Sequence, residues 1–300
     1  MEIIVLGAAA GGGFPQWNSH AEPCRRARAG DPKALPRTQA SLAISRDGER
    51  WYLLNASPDL RQQINDNPAL HPGRDLRHSP IAGVVLTGGD VDVIAGLLTL
   101  RERHSFALHA THRIHAVLDA NPIFEVLARD VVLRKVEALD APFALESGLV
   151  GCLFAVPGTV PLYLEGNDGA PPILIDETTV GLEIAADDRR MLFISSCATM
   201  TPNLLERIDG ADMLFFDGTL WRDDEMVRAG VGDKTGRRMG HMSLDGPDGT
   251  IAAFAAARIG RKVVIHMNNS NPVLLADSAE RDEAERAGWI IAEDGMAFTL

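Results

Sequence analysis

Short apolar runs separated by polar turns set the pattern of this chain. Glu2 to Leu6 is apolar, rich in β-branched residues and stopped by Gly7, which predicts a buried strand. Ala40 to Ser45 and Trp51 to Asn55 predict two strands joined by the turn Arg46-Asp47-Gly48-Glu49. Gly83 to Thr87 predicts another strand, Ile94 to Arg103 a helix with Leu97, Leu98 and Leu100 among its apolar positions, Phe106 to Ala110 a strand, and His112 to Asn121 a helix. In the second half, strands are predicted at Leu153 to Val156, Val180 to Ala185, Arg190 to Ser195, Met213 to Asp217 and Lys262 to Met267, with helices at Asn203 to Ile208 and Gly249 to Gly260. Ala279 to Ala287 reads as a helix, and Trp289 to Leu300 as two short strands. Strand pairs early in each half, followed by strand–helix units, predict two sheets packed face to face with helices outside, an α/β fold. No low-complexity linker or short repeat divides the chain, so residues 1–300 are expected to form a single domain.

Composition supports a sizeable core: 46% of residues are hydrophobic and 23% charged. The net charge of -12 is spread along the chain. It argues against nonspecific nucleic-acid binding and against docking on anionic membranes, both of which need a basic face. The first residues lack the basic segment and long apolar stretch of a signal peptide. No apolar run approaches the roughly 20 residues that span a bilayer. Three cysteines, Cys24, Cys152 and Cys197, have no paired spacing. A reducing cytoplasmic location is expected rather than a disulfide framework.

Candidate chemistry sits in the polar turns. Gly7 to Pro15 contains Gly11, Gly12 and Gly13, which allow close backbone approach. The dinucleotide spacing is missing, so a tight turn lining a cleft is the expected role. After the apolar run Val84 to Leu86 comes Thr87-Gly88-Gly89-Asp90-Val91-Asp92-Val93, and then Ala95-Gly96-Leu97. Asp217 and His266 close apolar strands, and His241 precedes a predicted helix. Taken singly, Asp92 reads as a helix N-cap more readily than as a ligand. Likewise, His266 alone reads as a satisfied core histidine. His104, His109, His112 and His115 span more than one element and read as solvated surface, and Cys197 reads as a small buried hydrophobe.

The segment from Val84 to Leu97 resembles the metallo-β-lactamase superfamily, whose frame reads Thr-His-x-His-x-Asp-His-x-x-Gly-Leu. Gly88 stands at the first histidine position, Asp90 at the second, Asp92 at the aspartate and Val93 at the last histidine. The order His241, helix, strand, His266 is similar to the C-terminal part of the superfamily's tRNA-processing nucleases. The superfamily's mid-chain histidine should fall near Val156 to Val160, and its bridging aspartate near Ser195 to Cys197; neither segment holds such a residue. A dinuclear hydrolase site, and with it β-lactamase activity, is therefore not expected. Two histidines and a carboxylate with open positions suit a mononuclear non-haem iron(II) centre, and zinc is the other candidate.

Further segments, in order, resemble the B family of pyrroloquinoline quinone (PQQ) biosynthesis. They are Val5 to Asn18, Arg37 to Ser41, Asn55 to Asp59, Gly96 to Glu102, Asp217 to Trp221, Met239 to His241 and His266 to Pro272. The resemblance implies a four-layer αββα metallo-β-lactamase-like sandwich. It also implies metal ligation by Asp90, Asp92 and His266, with Asp217 and His241 as catalytic groups. Arg37, Asn55, Arg101, Gly12 and Gly13 are the residues it offers for substrate binding. It implies one of two activities. The first is iron-dependent hydroxylation of the tyrosine ring of a Glu–Tyr-derived precursor. The second is non-catalytic binding or carriage of PQQ or that precursor toward the periplasm. The expected partners are that small molecule, the other PQQ biosynthesis proteins and a second copy in a homodimer. Some members carry Cys-x-Cys-x-x-Cys after Trp-Asn, read as a structural zinc site. Here those positions are Ser19, Ala21 and Cys24; one thiol cannot hold a tetrahedral zinc, His20 and Glu22 offer only partial help, and a zinc is not expected there.

Overall fold

The computed structural model describes residues 1–73, 75–166 and 172–300. One sheet begins with β1 (Glu2–Gly7), β2 (Ser41–Ser45), β3 (Trp51–Leu54), β4 (Ile81–Val85), β5 (Phe106–Ala110) and β6 (Val132–Val136). A second sheet holds β7 (Pro142–Ala144), β8 (Val150–Ala155), β9 (Val180–Ala186), β10 (Arg189–Ile194), β11 (Met213–Asp217), β12 (Arg261–Ile265) and β13 (Trp289–Ile291). The last strand, β14 (Ala297–Thr299), returns to the first sheet beside β1, with Glu2 opposite Thr299. Each sheet has seven strands, in the orders β14-β1-β2-β3-β4-β5-β6 and β13-β12-β11-β10-β9-β8-β7. Helices flank the pair, giving the αββα sandwich.

The parallel strands position the chemistry. In the first sheet β3, β4, β5 and β6 run parallel, and in the second so do β10, β11, β12 and β13. Their carboxyl ends therefore open on one edge of each sheet, where ligands commonly bind in α/β folds. The registers Ile194↔Phe216 and Asp217↔Ile265 place the ends of β10, β11 and β12 side by side. The glycine-rich turn joins them: Ala10 N–H donates to Met267 O at 2.7 Å. Between the sheets and beneath the flanking helices the apolar faces form a continuous core that includes Trp51, Phe193, Phe215, Phe216, Phe254 and Trp289. Phe254 makes edge-to-face contacts with Phe216 at 5.0 Å and Trp289 at 5.7 Å. Burying each such ring contributes about 1.5–3 kcal/mol.

Most predicted strands lie within a residue or two of the observed ones, and three differences have physical causes. The helix expected over Ile94 to Arg103 is a short α-helix, Val91–Ile94, continued as a 3₁₀ helix, Ala95–Leu100. Gly96 N–H donates to Ala56 O at 2.8 Å, and this contact pulls the segment onto the turn after β3. The helix expected over Gly249 to Gly260 is confined to Thr250–Ala253. Beyond it, Gly210 N–H donates to Arg258 O and Gly260 N–H to Ala211 O, so residues 258–260 are held by the turn before β11. His109 and His115 are buried rather than solvated. His109 pairs with Glu137 at 2.8 Å and stacks on Phe143 at 5.2 Å. Unpredicted elements include β6, β7 and the helices Glu22–Arg28 and Leu60–Asp66.

Candidate metal centre

Asp217 is the last residue of β11 and is fully buried. Its Oδ1 accepts from Thr219 N at 3.0 Å and Thr219 Oγ1 at 2.7 Å. Its Oδ2 accepts from Cys197 N at 2.9 Å and from His241 Nδ1 at 2.7 Å. Burial alone would push its pKa up, but the charges of His241 and His266 and its hydrogen bonds bring it below the ordinary carboxylate value. The carboxylate is therefore ionised and fixes the ring of His241.

His266 follows β12 with φ of 59°, a left-handed backbone uncommon for a residue other than glycine. Its Nδ1 lies 2.8 Å from Thr219 Oγ1. That hydroxyl has one hydrogen, which goes to Asp217, so it accepts from the histidine. The hydrogen-bond network thus assigns a protonated Nδ1 to both rings and directs chemistry to Nε2. His266 Nε2 meets Asp92 Oδ2 at 2.9 Å, although the two residues are 174 positions apart. Burial lowers the pKa of His266, but the bond to Asp92 and the charges of Asp92, Asp217 and Asp90 raise it overall. Asp92 is pushed up by burial and held low overall by His266. Asp90, two residues away, is pushed up to about 6 by burial and by the charge of Asp92. The imidazoles of His241 and His266 stack at 5.2 Å.

Asp90, Asp92, Thr219, His241 and His266 line one cavity of ≈ 360 Å³ with apolar residues such as Val160, Leu162, Met226 and Met239. A larger cavity of ≈ 690 Å³, lined by Arg50, His71, His78 and Glu146 among others, lies by the amino ends of β3, β4 and β5. None of the predicted site residues lines it. The chemistry belongs to the smaller cavity, at the carboxyl ends of the strands.

The family model for the Beta-lactamase superfamily domain matches residues 50–267. Coenzyme PQQ synthesis protein B of Gluconacetobacter diazotrophicus is 59% identical over 100% of this chain and 99% of its own length. The chain belongs to the coenzyme PQQ synthesis protein B family. Membership places it in PQQ biosynthesis. The protein of the same name from Xanthomonas euvesicatoria is 54% identical over 100% of both chains. The crystal structure of Zn(2+)-bound PqqB from Methylobacterium extorquens superposes with a TM-score of 0.98, at 53% identity over 100% of both chains. A diphosphatase of the PhnP family, at 18% identity and a TM-score of 0.70 over 99% of this chain and 96% of its own, shares the fold.

A metal suits the residues of this family member. One ligand atom each from Asp217, His241 and His266 lies within 4.8 Å of the others. Atoms bound to one ion at about 2 Å stand up to about 4 Å apart, so small side-chain shifts close the set on a cation. Among the described residues this is the group of three that could hold a metal. Asp92 joins it through His266, and Asp90 lines the same cavity. The N-terminal positions do not fit a zinc. Cys24 is buried with its Sγ 3.5 Å from Asn269 Oδ1, His20 is exposed, and Arg28 binds the carbonyls of Ser19 and Gln16.

The residues expected to bind substrate, Arg37, Arg101, Asn55, Gly12 and Gly13, do not line this cavity. Arg37 is buried and its fork is used internally. It pairs with Glu293 at 2.8 Å and donates to the carbonyls of Ala292, Leu35 and Pro36. Arg101 is exposed and donates to Leu98 O, away from the cavity. Asn55 is buried where the sheets meet: its Oδ1 accepts from Thr87 N and Oγ1, and its Nδ2 lies 3.5 Å from Ser195 Oγ. Gly12 N–H donates to Gln39 Oε1 and Gly13 N–H to Ala10 O, so neither amide is free for an anion; Gly11 is the glycine that lines the cavity. Thr219, which touches Asp217 and both histidines, was given no role by sequence reasoning; its one signal was a polar residue just past the end of β11. Arg37→Met is expected to cost about 2–3 kcal/mol by stranding buried acceptors, with PQQ affinity unchanged. Chemical denaturation and a binding titration on the same variant check this, and a weakened affinity in a protein of normal stability would return Arg37 to the ligand site.

Proposed function

We propose that this protein is an iron(II)- and oxygen-dependent hydroxylase acting on the tyrosine ring of the Glu–Tyr-derived precursor of PQQ. The observation that carries the reading is the pair of imidazoles, His241 and His266, lining one cavity with the carboxylate of Asp92 and backed by the buried carboxylate of Asp217, a donor set that suits non-haem iron. The cavity volume of ≈ 360 Å³ falls in the range for small-molecule sites. Iron(II) held there supplies the one-electron chemistry that oxygen requires. One oxygen atom enters a ring C–H bond; the other leaves as water, with two electrons from an external reductant and two protons. The chain's own residues orient and shield. Asp217 and Thr219 hold both imidazoles by Nδ1, which leaves the two Nε2 atoms for ligation, His266 Nε2 beside Asp92 Oδ2. The apolar lining by Val160, Leu162, Met226 and Met239 receives the ring and excludes water. Asp90 offers a carboxylate for the ring proton that leaves.

The test is anaerobic loading with iron(II), then addition of oxygen, a reductant and the diamino acid precursor. Mass spectrometry should find one oxygen added to the ring, and the zinc-loaded protein should add none because zinc has no redox chemistry. An unmodified ring after full iron loading defeats the reading. A second reading, a non-catalytic carrier of PQQ or its precursor, is favoured by the positions of Gly88 and Val93. Both stand where the superfamily frame has histidines, and Val93 packs into the core. Under that reading, PQQ binding survives chelation of the metal.

A further inference from the structure

An acidic ligand faces an acidic lining in this cavity. Asp90, Asp92 and Glu165 contribute carboxylates, and the protein carries a net charge of -12. A metal at one part of the lining can take one anionic group. A ligand with several carboxylates needs a further cation, and the arginines are committed. Arg37 is paired with Glu293, and Arg101 lies outside the cavity. Arg238 forms a fork with Glu165, at 3.2 and 2.9 Å.

That leaves Lys234, in the segment between the helix Glu225–Arg228 and the 3₁₀ helix Arg237–Met239. Among the described residues it is the one lysine or arginine in the cavity lining, and it is half-buried. Among the described residues its ammonium makes no hydrogen bond or ion pair; its one described interaction is through its charge, felt by Glu165. Glu165 lies below the usual carboxylate range chiefly through its bonds to Arg238 and secondarily through the charges of Arg238 and Lys234. Lys234 therefore stands near a carboxylate that another residue already satisfies, with its own three donors unspent. The wall around it is apolar through Met226, Met239 and Leu162, which suits a flat ring system with charged edges.

We infer that Lys234 is a specificity-determining residue that binds a carboxylate of the ligand while the metal cluster engages its other end. This assignment rests on the reading that the cavity takes PQQ or its precursor. It defines the ligand class as an aromatic polycarboxylate. A compact ammonium on a flexible stem suits a carboxylate whose position changes between precursor and product better than a rigid arginine fork does.

The experiment measures binding of PQQ and of PQQ trimethyl ester to the metal-loaded wild type, Lys234→Met and Lys234→Arg, with metal content and thermal midpoint recorded for each. Lys234→Met should weaken PQQ binding by about ten- to a hundredfold, the size of one charge-assisted pair, and leave ester binding unchanged. Lys234→Arg should retain most of the affinity for PQQ. Metal content and thermal midpoint should stay at wild-type values in both. Equal PQQ affinity in Lys234→Met and wild type overturns the assignment and leaves the pathway reading intact. Loss of metal or stability together with affinity makes Lys234 structural and also overturns it. If the wild type binds neither PQQ nor its trimethyl ester, the ligand reading fails and the assignment with it.

Discussion

Asp217→Asn should lose both stability and metal. The carboxylate takes four donors, with a backbone N–H on each side: Thr219 N on Oδ1 and Cys197 N on Oδ2. An asparagine must turn its NH₂ toward one of them. Either orientation sets donor against donor in a fully buried place, and one N–H is left unsatisfied. The negative charge that balances His241 and His266 is lost as well. A penalty of about 3 kcal/mol or more is expected, since breaking a buried charged pair exceeds the cost of a neutral hydrogen bond. Metal affinity should fall by at least about a hundredfold, because His241 loses the group that fixes its ring. Thermal unfolding and metal analysis of the purified variant check both effects. Wild-type stability with full metal content would mean that Asp217 neither anchors nor ligates.

Gly96→Ala is expected to be the most damaging single methyl group in the chain. A Cβ built on Gly96 would stand 2.0 Å from Ser57 O and 2.7 Å from Ala56 O. Both are backbone atoms, so no side-chain rotation relieves the clash. Relief requires moving the 3₁₀ helix Ala95–Leu100 away from the turn after β3, which breaks the bond from Gly96 N–H to Ala56 O. The same movement drags the loop carrying Asp90 and Asp92. A loss of at least about 3 kcal/mol is expected, at the upper end for overpacking because the obstacle is main chain. Denaturant midpoints and the yield of soluble protein measure it. An alanine variant within about 1 kcal/mol of wild type would show that this helix can be displaced freely.

Strand ends were the most legible part of the site. Met213 to Asp217 reads as an apolar run closed by a carboxylate, and the structure places β11 over those residues. Asp92 and His266 were legible only through a family frame, because an aspartate or histidine at a strand end has several ordinary uses. Their contact at 2.9 Å depends on two sheets meeting, which no local pattern encodes. Arg37 is ambiguous in sequence for a related reason. A guanidinium fork fits a ligand carboxylate and Glu293 equally well, and only burial distinguishes them. Thr219 was invisible as a site residue because its hydroxyl matters through three partners brought together by tertiary packing. The alanine-rich stretch after Gly249 had the propensity for a long helix, and hydrogen bonds from residues 209–211 overrode it.

The meeting of Asp92 and His266 has a consequence for the lifetime of the protein. A cation bound by both Asp92, in the helix Val91–Ile94 after β4, and His266, at the end of β12, would act as a reversible crosslink between the two sheets. It closes a span of 174 residues that the unfolded chain leaves open. Ions that bind the native state alone add stability by mass action, about 1.4 kcal/mol for each tenfold rise in free metal above the dissociation constant. With such a link, metal supply would set how often the sheets part and expose their apolar faces to proteases. A cell short of that metal would lose folded protein as well as occupied sites.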